Sequence, residues 1–124
     1  MSEALLILVH GSPTPGANDD VERVAALIDT RRAFGIVKIG YLERNEPSIA
    51  DAIDQCAAGG ATTIIGVPYF LHIGTHVADD LPTLFDEGRK RHPNITFRLG
   101  RFLGESPVLT TILSTRATTA LRQV

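Results

Sequence analysis

The sequence has little of what several classes of protein require. It contains no tryptophan and a single cysteine, Cys56, and its twelve Lys and Arg residues are outnumbered by fourteen Asp and Glu. One cysteine cannot form an internal disulfide, so we expect the chain in the reducing cytoplasm. The net charge of −2 and the scarcity of aromatic residues (five Phe, two Tyr) argue against a nucleic-acid partner.

Long hydrophobic stretches are also missing. The longest apolar run covers residues 4–9, whereas a helix that spans a bilayer needs about 20 apolar residues. The start, Met1-Ser2-Glu3, carries an acid where a signal peptide has basic residues. We therefore expect no membrane partner. The composition is that of an ordinary globular protein, and the length predicts one domain over residues 1–124.

Four apolar or β-branched runs alternate with four segments of helical character. The runs predict strands at residues 4–9, 35–42, 62–67 and 94–99. Helices are expected to begin near Asn18 or Asp19, at Pro47 or Ser48, after a loop over residues 69–76, and at Ser106-Pro107. This alternation predicts an α/β domain with a parallel sheet. We expect a single flavodoxin-like, three-layer domain with strand order 2-1-3-4 and helices on both faces.

Three details of the helices are predicted as well. The third helix is expected to be interrupted, or to begin afresh, at Pro82. Cys56 lies on the apolar stripe of the second helix and is expected to be a buried small hydrophobe. The last helix is expected to turn one apolar face inward, formed by Leu109, Ile112, Leu113, Ala117, Ala120 and Leu121.

Ligands of open parallel sheets bind beyond the carboxyl ends of the strands. The first strand leads to His10, the second to Glu43, and the loop after the third carries His72 and His76. With strand order 2-1-3-4, His10, Glu43 and one of the loop histidines can meet. Two imidazoles and a carboxylate suit a divalent first-row metal such as Co, Ni, Fe or Zn. The residues alone do not decide between His72 and His76.

Structural roles remain open for two of these histidines. His10 can instead hydrogen-bond the junction between strand and loop, and His76 can be an ordinary polar residue at a helix start. The sequence lacks the signature motifs of several other enzyme classes. The His-Gly pair after the first strand is like the oxyanion segment of α/β-hydrolases, but no GxSxG follows. Neither GxxxxGK[ST] nor GxGxxG occurs, so no nucleotide cofactor is expected.

Taken in order, the motifs resemble those of the small CbiX-type sirohydrochlorin chelatases, relatives of the siroheme ferrochelatases. They include residues 8–12 (LVHGS), residues 41–43 (YLE) and the most specific block, residues 67–82 (VPYFLHIGTHVADDLP). Ala17-Asn18 and Leu99-Gly100 followed by Ser106-Pro107 also fit, so the resemblance covers nearly the whole chain.

The resemblance implies a lyase-type chelatase that inserts Co(II) or Fe(II), or else Ni(II), into sirohydrochlorin without ATP, in cobalamin or siroheme biosynthesis. It implies that His10 and His76 bind the metal and act in catalysis, with Glu43 as a third ligand or proton acceptor. His72 falls at a variable position of the motif, so no ligand role is carried onto it. Pro13 stands where family members often have arginine.

Three residues are expected to contact the substrate, which carries many carboxylates. Ser12 belongs to the first motif, and Arg44 and Arg101 leave the sheet at the same edge. Longer chelatases of this superfamily join two such domains and place the active site between them. A chain with one such domain is therefore expected to act as a homodimer with its site at the interface. The alternative is a non-catalytic carrier of metal or tetrapyrrole, or a partner subunit.

Overall fold

The computed structural model describes residues 2–123, in which four parallel strands form one sheet of order β2-β1-β3-β4. The strands are β1 (Glu3–Val9), β2 (Ile36–Tyr41), β3 (Thr63–Pro68) and β4 (Thr96–Leu99). The predicted α/β class and strand order are confirmed. The expected domain bounds also take in Met1 and Val124, which lie outside the described residues.

The register of the sheet decides which residues meet at its edge. Ile7 in the central strand β1 pairs with Ile39 on one side and with Val67 on the other. The strands β1, β2 and β3 therefore end at nearly the same level. Side chains that leave these three strands share one edge of the sheet, as the sequence predicts.

The helices are α1 (Asp19–Thr30), α2 (Ile49–Ala58), α3 (Thr75–Arg91) and α4 (Val108–Arg122), with a short 3₁₀ turn over Leu103–Glu105. Ser48 caps α2 as expected, since its hydroxyl accepts a hydrogen bond from the backbone N–H of Asp51 at 3.1 Å. Asn18 stands at the cap position of α1 without a side-chain hydrogen bond there. The backbone of residues 14–18 makes the turn instead.

Helix α3 runs through Pro82 without a break, so the expected interruption is wrong. The proline is exposed, and water can therefore solvate the carbonyl to which it cannot donate. On the inner side of the same helix, Leu81 and Phe85 are buried. The Phe85 ring packs edge-on against Phe97 with their centroids 5.7 Å apart. This packing outweighs the cost of one missing hydrogen bond.

Helices cover both faces of the sheet. One core lies between the sheet and helices α2 and α3, and the other lies beneath α1 around Val21. Cys56 belongs to the first core and is fully buried, as predicted. Burial raises the pKa of its thiol to about 11, with a smaller opposing effect of Lys38. This thiol is therefore a packing group rather than a nucleophile.

The expected inward face of α4 is wrong, because no side chain of this helix is buried. Leu113 is 70% exposed and Leu121 is 86% exposed. The sheet face that such a helix would cover stays partly open over Ile65 and Val67. The sequence of α4 does have an apolar stripe with helical periodicity. That periodicity, however, does not specify which surface packs against the stripe.

An ion-pair network joins α2 to the end of α3. Asp54 Oδ1 lies 2.7 Å from His92 Nε2 and accepts two hydrogen bonds from the Arg91 guanidinium, at 3.1 and 3.2 Å. The hydrogen bond with His92, followed by those from Arg91, lowers the pKa of the Asp54 carboxyl, while slight burial opposes the shift. The network fastens the last turn of α3 to the middle of α2.

Asp54→Asn is expected to lower the free energy of unfolding at neutral pH by about 0.5 kcal/mol, the value of a largely exposed pair. Because the folded-state pKa lies below the ordinary 3.8, this stabilisation is complete above that pH and is lost as the pH falls through the folded-state value. Urea unfolding at pH 7 and at a series of lower pH values measures the difference. Asp51→Asn, on the same helix but outside the network, is the control. A difference that does not change with pH would contradict the assignment.

Candidate metal centre

The chain segments that leave β1 and β2 stay paired beyond the strands. The backbone N–H of Leu42 donates to Val9 at 2.8 Å, and that of Glu43 donates to His10 at 3.1 Å. Two further residues of the parallel ladder are thereby held in register. His10 and Glu43 are therefore neighbours at the carboxyl edge, as the strand order predicts.

The two side chains are in contact. His10 Nε2 lies 3.4 Å from Glu43 Oε1, and the side chains are 55% and 53% exposed. The other ring nitrogen, Nδ1, lies 3.2 Å from the carbonyl oxygen of Gly11. In the tautomer whose Nδ1–H donates to that carbonyl, Nε2 keeps a free lone pair beside the carboxylate. Imidazole nitrogen and carboxylate oxygen are both ligand types that first-row divalent metals accept.

Gly11 makes the close approach of the two segments possible. Its φ is +102°, and a Cβ added there would lie 2.0 Å from the backbone oxygen of Glu43. A side chain at this position is therefore excluded both by backbone conformation and by space. The glycine of the His-Gly pair sets the distance between the two candidate ligands.

Asn45 is a further contributor, which the sequence reasoning missed. Its Oδ1 accepts a hydrogen bond from the backbone N–H of Ser12 at 2.7 Å, and its own N–H donates to the carbonyl of Glu43 at 2.9 Å. Asn45 thus bridges the two segments. The signal available in the sequence was an asparagine in a polar turn directly after a strand, where its side chain commonly bonds nearby backbone.

The three predicted substrate-binding residues are placed differently from one another. The hydroxyl of Ser12 accepts a hydrogen bond from the N–H of Thr14 at 3.1 Å, which orders the loop. Arg44 has a φ of +70°, and its Nε lies 3.9 Å from Glu43 Oε1. Arg101 is 84% exposed and approaches Glu105 at 3.6 Å. Arg44 thus adjoins the His10–Glu43 pair, and Arg101 lies after β4.

His76 lies in the first turn of α3 rather than in the preceding loop, and His72 lies in that loop; both are exposed. The structure brings His10 and Glu43 together but adds no third ligand. Within residues 2–123, no three His, Cys, Asp or Glu side chains lie close enough to hold a metal ion. The assignment of His76 as a ligand stays a prediction.

An apolar cavity of about 350 Å³ lies between the start of α3 and the segment after β4. Its walls include Pro68, Ile73, Leu81 and Phe102, and Arg101 contributes a cation. Ala78 and Pro82, on the same helix as His76, also line it. The cavity therefore combines apolar walls with one exposed cation. Separately, across the described part of the chain, no helix has the length and apolarity that crossing a bilayer demands.

Comparison with known proteins identifies similar chains. A family model described as CbiX matches residues 4–120. A sirohydrochlorin cobaltochelatase of Methanococcus aeolicus is 43% identical over 82 residues, which are 66% of this chain and 57% of that protein. The chain therefore spans little more than half the length of this curated relative.

Two solved structures share the fold. The sirohydrochlorin chelatase SirB of Bacillus subtilis subspecies spizizenii, in complex with cobalt, superposes with a TM-score of 0.87 at 25% identity. The match covers 96% of this chain and 51% of that one. A CbiX protein of Marinobacter aquaeolei gives a TM-score of 0.84 at 24% identity, covering 98% of this chain and 99% of that one. The second similarity concerns the fold alone.

Proposed function

The chain belongs to the CbiX family, and from this we propose that it is a metal chelatase that inserts Co(II) or Fe(II) into sirohydrochlorin. The observation that carries the proposal is the contact between His10 and Glu43, 3.4 Å apart at the carboxyl edge of the sheet. The names of the relatives support the choice of substrate, since one is a sirohydrochlorin cobaltochelatase and another is a sirohydrochlorin chelatase in complex with cobalt.

His10 and Glu43 would hold the incoming metal, with His76 as the third ligand. Imidazole and carboxylate ligands suit Co, Fe and Ni. They bind these ions less tightly than thiolates do, so the metal can pass to the four nitrogens of the macrocycle. Ni(II) fits the same ligands. Sites with nitrogen and oxygen ligands bind Ni(II) more tightly than Co(II) or Fe(II), whatever the protein. The ligands therefore do not select the metal, and the supply of each metal in the cell decides which one is used.

Insertion also requires a base. The free macrocycle carries two pyrrolic N–H protons, and both leave as the divalent metal enters, so that two protons are released for each metal inserted. Glu43 and His10 are each able to accept a proton at this position. Their half-exposed side chains can pass it on to water. No nucleotide is needed in this scheme, because the metal–nitrogen bonds supply the driving force.

The macrocycle is flat, its two faces are largely apolar, and it carries carboxylates at its rim. The cavity beside α3 offers apolar walls, and Arg101 offers a partner for a carboxylate. Arg44, next to Glu43, offers a second. Ser12 would contact the substrate from the loop that follows β1. We assign these three residues to substrate binding.

Assembly and compartment complete the proposal. Residues 1–124 would act as one chelatase domain, paired with a second copy so that the site lies at or near the interface. The match to 51% of SirB leaves room for a second domain in that relative, and a second copy would take its place here. A free, buried Cys56 accords with a cytoplasmic protein.

The alternative is a carrier that binds metal or tetrapyrrole without turnover. A partner subunit without chemistry of its own is a variant of it. An enzyme releases many metallated products per chain, whereas a carrier binds in fixed stoichiometry.

The test is anaerobic metallation of sirohydrochlorin by Co(II), followed by absorbance. A protein-free blank and the His76→Ala variant serve as controls, and Fe(II) and Ni(II) are tried in parallel. We expect multiple turnovers with the wild type and a rate well above both controls. A single stoichiometric burst would favour the carrier. A wild-type rate equal to the blank with all three metals would reject the chelatase.

A further inference from the structure

The two segments that carry His10 and Glu43 are closed into a ring by hydrogen bonds. At one end of the ring, the backbone N–H of Glu43 donates to the carbonyl of His10 at 3.1 Å. At the other end, the backbone N–H of Ser12 donates to the side-chain Oδ1 of Asn45 at 2.7 Å. The candidate ligands therefore lie at the end that the backbone closes, and a side chain closes the opposite end.

The backbone ladder does not extend around the whole ring, because both segments leave strand geometry. Gly11 has a φ of +102° and Arg44 has a φ of +70°, whereas a parallel strand has a φ of about −120°. The N–H of Ser12 lies beyond the ladder, in half-buried surroundings. The side chain of Asn45 supplies the acceptor that this N–H requires.

The turn that presents Asn45 is itself strained. The N–H of Asn45 donates to the carbonyl of Glu43, two residues earlier, at 2.9 Å. Arg44, between them, lies in the left-handed region. A three-residue turn of this kind is rare and strained, and it persists only where surrounding contacts hold it. The hydrogen bond from Ser12, 33 positions away, is such a contact.

The same two segments meet at the glycine that follows His10. A Cβ added to Gly11 would collide with the carbonyl oxygen of Glu43 and would lie 3.1 Å from Asn45 Oδ1. The Glu43 carbonyl and the Asn45 amide oxygen therefore both pack against Gly11. A displacement of Asn45 is thus passed through Gly11 to the backbone that carries both candidate ligands.

The spacing of the two ligands suits a metal and needs to be held. Two ligand atoms on one tetrahedral first-row ion stand about 3.4 Å apart when each bond is about 2.1 Å long. His10 Nε2 and Glu43 Oε1 are 3.4 Å apart. Both side chains are more than half exposed, so their own packing does not fix this distance. It depends on the backbone beneath them, and a site of this kind tolerates displacements of only about 0.5 Å.

We propose that Asn45 is a positioning residue of the metal site: its side-chain oxygen holds the loop after His10 against Glu43 and so fixes the separation at which the two ligands meet the metal. Gly11 permits the close approach, and Asn45 maintains it. The consequence for metallation rests on the proposed function. The consequence for metal binding does not, because it requires no turnover.

The test measures the affinity of the protein alone for Co(II), together with the rate of Co(II) insertion into sirohydrochlorin. Asn45→Ala removes the acceptor, and Asn45→Gln keeps the amide but moves its oxygen by one methylene. We expect each variant to lower both quantities by about 10- to 100-fold, the range for loss of a group that orients a metal ligand. The KM for sirohydrochlorin should change little, because Asn45 does not line the cavity beside α3.

Asn45→Asp is the rescue variant, since a carboxylate oxygen at the same position accepts the hydrogen bond from Ser12. We expect it to retain most of the wild-type Co(II) affinity and rate. Asn94→Ala is the matched control, because Asn94 is exposed in the turn before β4, at the opposite edge of the sheet; both quantities should stay unchanged. Circular dichroism and urea unfolding establish that each variant is folded. Where Asn45→Ala does not fold, the comparison of Asn45→Gln with Asn45→Asp decides.

A folded Asn45→Ala protein with the Co(II) affinity and rate of the wild type would overturn the proposal. An Asn45→Asp protein that loses as much as Asn45→Ala would overturn it too, because the hydrogen bond would then not be the cause. The chelatase is judged separately, on the wild type. A wild type that binds Co(II) without turnover rejects the chelatase, and the Co(II) affinities of the variants then decide the positioning role. A wild type with turnover beside an unaffected Asn45→Ala rejects the positioning role alone.

Discussion

Replacing His10 by alanine is expected to lower the rate of Co(II) insertion into sirohydrochlorin by about 100-fold or more, the range for loss of a group that acts as ligand or proton acceptor. His10 is the centre of the candidate site. Its Nε2 faces the Glu43 carboxylate at 3.4 Å, and its Nδ1 is held by the Gly11 carbonyl. Because the His10 side chain is half exposed to solvent, its removal should change the free energy of unfolding little.

His72→Ala is the matched control, since His72 is an exposed histidine in the loop before α3. We expect it to keep the wild-type rate, whereas His76→Ala falls with His10→Ala. Glu43→Gln separates the two roles of the carboxylate, because an amide still offers an oxygen to the metal but accepts no proton. A wild-type rate for both His10→Ala and His72→Ala would exclude His10 from the mechanism.

Replacing Gly11 by alanine is expected to lower the free energy of unfolding by about 3 kcal/mol and to abolish most of the metallation rate. About 1 kcal/mol of this comes from forcing a Cβ into the left-handed region. The remainder comes from the contact of that Cβ with the Glu43 carbonyl at 2.0 Å, which only a shift of backbone can relieve. That shift separates His10 from Glu43.

Gly60→Ala isolates the first of these two effects. Gly60 has a φ of +94°, and nothing lies within 4 Å of the Cβ that alanine would add. We expect about 1 kcal/mol of destabilisation and an unchanged metallation rate. Urea unfolding and the absorbance assay measure both quantities for both variants. A Gly11→Ala protein as stable and as active as Gly60→Ala would show that the close approach of the two segments is unimportant.

Local signals in the sequence predict much of the fold correctly. Hydrophobic periodicity places the four strands and the helices, and Ser48 marks the start of α2. The apolar stripe of α2 predicts the burial of Cys56. These signals work because each depends on residues within a few turns of one another. The edge at which His10 and Glu43 meet follows as well, since the carboxyl ends of parallel strands share one edge.

Other features depended on packing between distant segments. Helix α3 continues through Pro82 because Leu81 and Phe85 are held in the core, which no local rule reveals. The bridge from Asn45 to Ser12 joins residues 33 positions apart and requires the register of β1 and β2. The interpretation of α4 as a core helix was wrong. The apolar stripe of a helix is a local pattern, and it does not specify which surface, if any, packs against that stripe.

The sequence by itself determined the class of fold, the edge that carries the chemistry, and the identity of His10 and Glu43 as neighbours there. Only the tertiary structure decided how closely they approach, that His76 does not complete a three-ligand cluster in the described part of the chain, and that α4 is left uncovered. The physical reason is one of range. Element type is set by side chains close together along the chain, whereas distances within a site and the exposure of a face are set by how whole elements pack.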